Sequence, residues 1–309
     1  MRAFAFLTAL GLVILPDYPA PAAEPAGELR IGMLSGMFRD VPSGMVHSLA
    51  KPFRDLMTKQ VGYDGDVEMV DDPLTLAEKM KDGKVQLGVF HGFEFAWAKQ
   101  RCDDLVPLIV TRPPGGKVQA MVVVHRTCAA KGVSDLKSEC VHIPRGAKAH
   151  SLAFLDKCRI GLDSTTCKPT PKVNQTPEDV LNAVATGDAT AALVDTSALE
   201  GYKALQPGGY KSLRILSESE LFPAAVVCYR KGTLSEADVT RIRTGLATAT
   251  KSSSGKMLMA LWNLKGFEEP PADYQNSLDT ILKSYPLPTD KTAVSVEKSA
   301  VKAPGTGGK

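Results

Sequence analysis

Short apolar strand patterns alternate with helical patterns along most of this chain, and the alternation constrains its fold more than any other feature. Leu29–Leu34 has the composition of a strand, and apolar residues recur at helical spacing from Val46 to Val61. Strands that alternate with helices form βαβ units, in which mostly parallel sheets are flanked by helices. We therefore expect an α/β fold. Further strands are predicted at Val67–Val70, Val85–Phe90, Ala120–His125, Cys140–Ile143, Thr190–Val194, Leu213–Leu216 and Ala224–Tyr229, and further helices at Pro73–Gly83, Ser151–Cys158, Asp179–Thr186, Ser235–Lys251, Gly255–Trp262 and Ala272–Lys283.

One helix–glycine–strand pattern occurs twice. Pro73 begins a predicted helix that ends ten residues later at glycine, and His91 follows that glycine by eight residues. Pro177 begins the second copy, which has the same spacing and leads to Asp195. If the copies are equivalent, His91 and Asp195 lie just past the carboxyl ends of equivalent strands, where open α/β sheets bind ligands. Chance is the alternative, because this order of elements is common.

The first 23 residues form the pattern of a secretory signal. A basic start precedes the apolar run Ala3–Leu15, and small residues then favour cleavage after Ala22 or Ala23. The apolar run is shorter than the roughly 20 residues of a membrane span. No cysteine lies near the cleavage site, so the sequence does not indicate a lipid anchor. We therefore expect a signal peptide over 1–23, export to the periplasm as a soluble protein, and a disordered, polar tail over 286–309.

Charge and motifs exclude several classes of function. The formal net charge is +3, from 37 lysines and arginines against 34 aspartates and glutamates. A charge this small does not indicate binding to nucleic acid or to an anionic membrane. The sequence contains no G-x-S-x-G, no H-E-x-x-H and no phosphate-cradling glycine loop. We therefore expect a protein that is not an enzyme and that needs no cofactor.

The six cysteines form no C-x-x-C and have no zinc-finger spacing. In an exported chain an even number of cysteines indicates disulfide bonds. The pairs Cys128–Cys140 and Cys158–Cys167 would close short loops, and the pair Cys102–Cys228 follows by exclusion. Free, buried thiols are the alternative.

An ordered set of segments resembles the phosphate-, phosphite- and phosphonate-binding proteins of ABC transporters. Pro73–Ala96 (PLTLAEKMKDGKVQLGVFHGFEFA) is similar to a family segment in which a helix, a Gly-Lys-Val-Asp turn, a strand and Gly-Pro-x-Ser-Tyr follow one another. No single motif is very specific, but the resemblance covers about residues 28–285. The other similar segments, in the family's order, are Leu29–Ser35, Leu49–Gly62, Val133–Lys137, Gly187–Asp195 and Leu213–Arg230.

This resemblance implies a type II periplasmic binding fold with two α/β lobes and a ligand in the cleft between them. Lobe 1 would comprise 28–115 and 217–285, and lobe 2 would comprise 116–216. The implied partners are a small anionic ligand and an ABC permease in the inner membrane, with the binding protein a monomer. A sensory domain that reports the ligand to a receptor is an alternative role for the same fold.

Two departures from the family pattern concern the ligand. The family's Ser-Thr-Ser-Gly, whose hydroxyls hold the phosphonate, is replaced here by Gly146-Ala147-Lys148-Ala149. Its Gly-Pro-x-Ser is replaced by His91-Gly92-Phe93-Glu94. The resemblance therefore implies the fold and the transport role, but it does not carry over the phosphonate specificity.

Lys148 is the leading candidate for binding an anion. It lies where a helix is predicted to begin, and such an end favours anions through its amides and its dipole. His150 and Ser151 follow directly, although Ser151 is also a suitable helix cap. A solvent-facing lysine is the alternative for Lys148.

Other candidates come from separate loops. Phe38 and Arg39 follow the first strand, where an arginine can contact an oxyanion with two hydrogen bonds. His91, Glu94 and Asp195 complete the set, and Asp195 in the cleft would hold an amine, an amide or a metal. The alternatives are an arginine at the rim, a packed histidine and an aspartate that caps the next helix. His91, Glu94, His150 and Asp195 together are the alternative metal-binding set, since imidazole and carboxylate suit transition metals.

The signal pattern predicts how the exported protein begins. In a Gram-negative host, the mature protein should start at Ala23 or Glu24 and should appear in the periplasmic fraction, because signal peptidase removes the segment before it. N-terminal sequencing of the fractionated protein measures this. A chain that still starts at Met1 in the membrane pellet would contradict it.

Overall fold

The computed structural model describes residues 28–38, 43–137 and 139–287. The predicted signal segment 1–23, Arg39 and most of the predicted tail 286–309 lie outside the described residues, as does the side chain of Phe38. Within the described ranges, no helix combines the length and the apolar character that crossing a membrane requires.

The strands form two mixed sheets. The strands are β1 (Glu28–Leu34), β2 (Asp64–Val70), β3 (Leu87–Phe90), β4 (Leu105–Arg112), β5 (Ala120–His125), β6 (Cys140–Pro144), β7 (Lys168–Lys172), β8 (Ala191–Asp195), β9 (Leu213–Glu218), β10 (Val226–Arg230) and β11 (Gly266–Glu268). The first sheet has the order β11-β4-β10-β3-β1-β2, and the second has the order β7-β6-β8-β5-β9.

The two sheets are mixed, whereas the sequence predicts mostly parallel sheets. β1 pairs in parallel with β2 and β3, and β6 pairs in parallel with β7 and β8. β10 and β5 are antiparallel to both of their neighbours. The chain enters these two strands directly after it crosses from one sheet to the other, without the crossover helix that a parallel connection needs.

Helices cover the sheets, and most of them lie where the sequence predicts helices. They are α1 (Ser43–Leu56, which continues as a π-helical turn over Met57–Val61), α2 (Pro73–Lys81), α3 (Gly92–Arg101), α4 (Ala149–Cys158), α5 (Pro177–Thr186), α6 (Thr196–Leu205), α7 (Pro207–Tyr210), α8 (Glu236–Ala247), α9 (Ser253–Leu261) and α10 (Tyr274–Ser284). Short 3-10 turns occupy Ser35–Phe38, Val133–Asp135 and Ala249–Lys251.

The repeated pattern forms similar local structure in both places. α2 begins with proline after the capping residue Asp72, and α5 begins with proline after Thr176, whose hydroxyl accepts a hydrogen bond from the Asp179 amide. Proline suits the first helical position because its missing N–H would have no partner there. Gly83 and Gly187 then adopt positive φ values of 71° and 88°, which glycine reaches without strain.

Some elements have no strong local signal and were not predicted. β4 and α3 follow one another around Cys102, and their apolar residues show no clear helical or alternating period. β7 contains two prolines, which suit only an edge strand, and it lies at the edge of the second sheet.

Apolar side chains pack on both faces of each sheet. Successive residues of a strand point to opposite faces, so Val227 enters one core cluster of the first sheet while Val226 and Cys228 enter the other. In the second sheet, Val122 and Val123 divide in the same way. Each sheet therefore has its own two-sided hydrophobic core.

The cysteines do not form the predicted disulfide bonds. All six lie in the described part of the chain and all are free thiols, so that prediction is wrong. The Cys102 Sγ donates a hydrogen bond to Asp104 at 2.9 Å, and burial with this hydrogen bond raises the pKa of Cys102 to about 12. Cys228 is fully buried, and burial raises its pKa well above the ordinary range. These side chains pack as small apolar groups, a role that an even cysteine count does not reveal.

Two crossover segments join the sheets and pair with each other. Residues 113–119 lead from β4 to β5, and residues 219–225 lead from β9 to β10. The Phe222 amide donates to the Val118 carbonyl at 2.9 Å, and the Gln119 side chain donates to the Ser219 carbonyl at 2.8 Å. The sheets are therefore joined by a short, hydrogen-bonded double connection.

Phe222 is the aromatic centre of that connection. Its side chain is buried, and its ring lies 5.8 Å from the ring of Phe93 on α3 and 5.0 Å from the ring of Tyr285 after α10. Phe93 and Tyr285 belong to the same core cluster as Phe154 of α4, which packs on the second sheet. The double connection is therefore held by apolar contacts from both sides.

Phe222→Ala should lower the free energy of unfolding by about 3–5 kcal/mol, because it removes a buried ring and leaves a cavity between the sheets. Urea unfolding followed by circular dichroism measures the change. The matched control is Leu221→Ala at the neighbouring position, which is 58% exposed and should change stability by less than about 0.5 kcal/mol. Equal, small changes in the two variants would contradict the packing role of Phe222.

Candidate functional site

A cavity of about 550 Å³ lies between the two sheets. The residues that follow the carboxyl ends of β3, β6 and β8 line it, together with parts of both crossover segments. Open α/β sheets bind ligands at these strand ends. The cavity is therefore the candidate site, and it has walls from both sheets.

His91 forms the wall that follows β3. It is the N-cap residue of α3, and it makes no side-chain capping hydrogen bond to that helix. Its ring lies 6.4 Å from the ring of Phe93 in a stacked orientation. A Cβ at the next residue, Gly92, would lie 2.2 Å from the Pro223 carbonyl oxygen. Only glycine fits there, so the start of α3 packs directly on the crossover segment.

Lys148 begins the wall that follows β6. It is the N-cap residue of α4 and, like His91, it makes no side-chain capping hydrogen bond. His150 and Ser151 in the first turn of α4 line the same cavity, with only 3% and 2% of their surfaces exposed. The His150 ring lies 5.2 Å from the ring of Phe222. The start of α4 is therefore fixed against the crossover segment, as the start of α3 is.

Asp195 ends β8 and caps α6. Its Oδ1 accepts a hydrogen bond from the Ala198 amide at 2.8 Å. Its Oδ2 lies 2.7 Å from the Lys148 Nζ and 4.0 Å from the His150 Nε2. The parallel pairing of β6 with β8 brings these groups together, because it places the carboxyl ends of the two strands side by side.

The charges around Asp195 keep it ionised. Burial alone would raise the pKa of Asp195, but Lys148, His150 and the hydrogen bonds from Lys148 and Ala198 outweigh it, so the pKa lies below its ordinary value of 3.8. The Asp195 side chain is 10% exposed, whereas the Lys148 side chain is 47% exposed. A buried carboxylate therefore holds an ammonium group that still reaches the cavity.

The first turns of α3 and α4 direct the positive ends of two helix dipoles at the cavity. The amides at the start of a helix have no partner within the helix, and the helix dipole adds a partial positive charge there. No capping side chain of His91 or Lys148 uses these amides. The two helices pack on opposite sheets, and both starts line the same cavity, where helix starts favour anions.

The structure brings together five of the predicted site residues. His91, Lys148, His150, Ser151 and Asp195 all line the cavity. Glu94 is buried in the first turn of α3 and does not line it. Phe38 ends the 3-10 turn after β1, but its side chain, like all of Arg39, lies outside the described residues.

The alternative metal site does not form. All four of its residues are in the described part of the chain, and among the described residues no three His, Cys, Asp or Glu side chains are arranged to hold a metal ion. The structure therefore does not combine His91, Glu94, His150 and Asp195 as metal ligands.

Several lining residues were not predicted from the sequence. Arg145 follows β6 directly, so its position at a strand end was a usable signal. Met37, Trp262 and Asn263 also line the cavity, but no local pattern marks them. Asn263 follows α9 on the first sheet, and its Nδ2 donates to the Ser197 Oγ of α6 at 2.8 Å. The two walls are therefore in contact across the cavity.

Two helix-flanked sheets that are joined by two crossover segments and enclose a cavity define the type II periplasmic binding fold. Solved structures share this fold. XAC2383 from Xanthomonas citri, bound to ATP, has a TM-score of 0.59 at 16% identity, over 84% of this chain and 96% of that chain. PhnD1 from Prochlorococcus marinus, in complex with methylphosphonate, has a TM-score of 0.57 at 14% identity, over 83% of this chain and 97% of that chain. At these identities the likeness shows the fold alone.

The family follows from the sequence. The family model for the periplasmic substrate-binding protein of phosphonate ABC transporters matches residues 36–274, more than half of the chain. The chain belongs to this family, which is a transport component and not an enzyme, and the resemblance noted above is confirmed. A search of curated proteins found no match.

Asp195→Asn should lower stability at neutral pH and should make stability less sensitive to acid. Because the folded-state pKa of Asp195 lies below 3.8, the carboxylate stabilises the fold above that pH, and the contribution is lost as the pH falls further. Asparagine can still accept the Ala198 hydrogen bond, so the cap is retained. We expect a difference from wild type of about 1.5–3 kcal/mol at pH 7.

Urea unfolding at a series of pH values measures this difference, which should shrink as the pH falls below 3.8. Asp103→Asn, at an exposed position outside the cavity, is the control and should follow the wild type. A difference that stays constant down to pH 2 would show that Asp195 does not carry the ionised pair.

Proposed function

We propose that the protein captures a small ligand bearing an oxyanion in the cavity between its sheets and delivers it to the permease of an ABC importer. The observation that carries this proposal is the convergence of two uncapped helix starts, those of α3 and α4, on one cavity from opposite sheets. Family membership supports the transport role. PhnD1, which shares the fold, was solved with an oxyanion ligand, methylphosphonate.

The helix starts favour an anion over a neutral or cationic ligand. Each first turn offers backbone amides as donors, and the dipole contributes about 0.3–1 kcal/mol, or up to about 2 kcal/mol in partly buried geometry. Hydrogen bonds to a charged oxygen are shorter and stronger than neutral ones. Two helix starts acting on the same oxyanion therefore supply both the donors and the field.

Lys148 supplies a full positive charge at the same place. Its ammonium group has three donors, and one of them is directed at Asp195. Since 47% of the side chain is exposed and Lys148 lines the cavity, the other donors can reach a ligand. Asp195 thus acts as a positioning residue that keeps the ammonium at the start of α4.

We also propose that the two sheets are the cores of two lobes that close on the ligand. The bounds are 28–115 with 217–285 for lobe 1, and 116–216 for lobe 2. The sorting of the strands supports them, since β1–β4, β10 and β11 form one sheet and β5–β9 form the other, although β9 extends two residues beyond 216. Closure of this kind is a hinge motion that changes φ and ψ at a few crossover residues.

Export completes the proposal. A periplasmic family requires a chain that crosses the inner membrane, and the segment 1–23 has the pattern of a cleavable signal. We propose that the mature protein works as a monomer in the periplasm and docks on its permease in the closed form.

Lys148→Met should weaken binding of methylphosphonate at least about tenfold, a loss of about 1.4 kcal/mol, because it removes the charge at the start of α4. The double variant Lys148→Met with Asp195→Asn should lose as much, and it leaves no unpaired buried carboxylate. Asp195→Asn alone keeps the ammonium but removes the carboxylate that positions it, so it should weaken binding by less than Lys148→Met does. Isothermal titration calorimetry at low salt measures the four affinities.

The control is Lys211→Met, at an exposed position outside the cavity, which should bind as wild type does. Thermal shift with methylphosphonate, phosphite, phosphate and sulfate gives a second readout, because a ligand that binds only the folded state raises the melting temperature. If no oxyanion raises it, the proposed function is wrong. If oxyanions bind equally to wild type and to both Lys148 variants, the function stands but the assignment of Lys148 does not.

A further inference from the structure

The cavity is much larger than an oxyanion alone requires. Its volume is about 550 Å³, whereas a water molecule takes about 30 Å³ of the liquid and phosphate or methylphosphonate has only a few more heavy atoms than water. Cavities of this size bury ligands as large as typical drug molecules. An oxyanion at the starts of α3 and α4 would leave most of this volume to water.

The volume does not come from a wide gap between the two sheets. The Asn263 Nδ2 on the first sheet already donates to the Ser197 Oγ on α6 of the second sheet, at 2.8 Å. Both residues line the cavity. The walls are therefore already in contact at this point, although the cavity is large. Further approach of the two sheets can reduce the cavity volume only to a small extent.

A second part of the wall is apolar and comes from the end of α9 and the residues after it. Leu261, Trp262 and Leu264 line the cavity there, and Met37 joins them after β1. Leu261 is 49% exposed, and Trp262 and Leu264 are only partly buried. The Trp262 ring is held in place, because it stacks on the core residue Phe53 at 5.5 Å.

Apolar surface in contact with water is unfavourable, and burying it against a ligand stabilises the complex. An oxyanion at the helix starts is polar and too small to cover this second wall as well. An apolar group joined to the oxyanion would cover it. A ligand that carries both an anionic and an apolar part would therefore contact both the helix starts and this wall.

We infer that the ligand is an organic oxyanion, with an anionic head at the starts of α3 and α4 and a ring-sized apolar body against Leu261 and Trp262. This inference rests on the proposed function, since the head occupies the anion site described above. The inference adds that a bare or methyl-substituted oxyanion would contact only part of the cavity wall.

Phenylphosphonate and methylphosphonate test the inference because they share a head and differ in the body. In isothermal titration calorimetry, wild type should bind phenylphosphonate at least about tenfold more tightly. Leu261→Ser should weaken phenylphosphonate at least about threefold and leave methylphosphonate unchanged. Met257→Ser is the matched control: Met257 lies on the same helix, is 59% exposed and does not line the cavity, so neither affinity should change.

Tryptophan fluorescence gives a readout that does not depend on affinity. The chain has two tryptophans, Trp97 and Trp262, so Trp97→Phe leaves Trp262 as the single emitter. Saturating phenylphosphonate should shift or quench its emission, and saturating methylphosphonate should change it much less.

The outcomes separate the inference from the proposed function. If methylphosphonate binds as tightly as phenylphosphonate, and phenylphosphonate leaves the Trp262 emission unchanged, the organic body is refuted while the anion site stands. If neither compound binds, both the inference and the proposed function are overturned.

Discussion

The packing of Phe222 between the two sheets is the contact on which the position of the cavity depends. Its ring touches Phe93 on α3 and His150 on α4, at 5.8 and 5.2 Å, and its backbone pairs with Val118 of the other crossover segment. The starts of two helices on opposite sheets are therefore set at a defined separation, and the gap between them is the cavity. In the proposed closure, this joint is where the two walls would meet and hinge.

The helix starts around the cavity differ in their capping, and uncapped starts also occur away from it, at α7 and α10. α2, α5 and α6 have their first turns capped by Asp72, Thr176 and Asp195. α3 and α4 begin with His91 and Lys148, which make no such bond. A helix start without a capping side chain presents its amides and its dipole to an external partner. The cavity thus combines two open helix starts with a lysine that Asp195 holds in position.

Local sequence signals explain which parts of the structure could be predicted. The helix–glycine–strand spacing placed His91 and Asp195 at strand ends, because proline and glycine act on the backbone wherever they occur. The ion pair of Lys148 with Asp195 has no local signal, since it arises from the adjacent, parallel pairing of β6 and β8. The position of Trp262 in the cavity wall has no local signal either, since its ring is held by stacking on Phe53, more than two hundred residues earlier in the chain. The number of cysteines likewise carries no information about their burial. It therefore led to a prediction of disulfide bonds, although the cysteines are free thiols.

Amide chemical shifts at the two helix starts test the central claim most directly, namely that one oxyanion is held by helices from opposite sheets. In isotope-labelled protein titrated with methylphosphonate, the amides of Gly92 and Phe93 on α3 and of Ala149 on α4 should shift downfield together and with one midpoint, because all three would donate to the same anion. Shifts confined to one helix, or absent from both while binding saturates, would contradict the account.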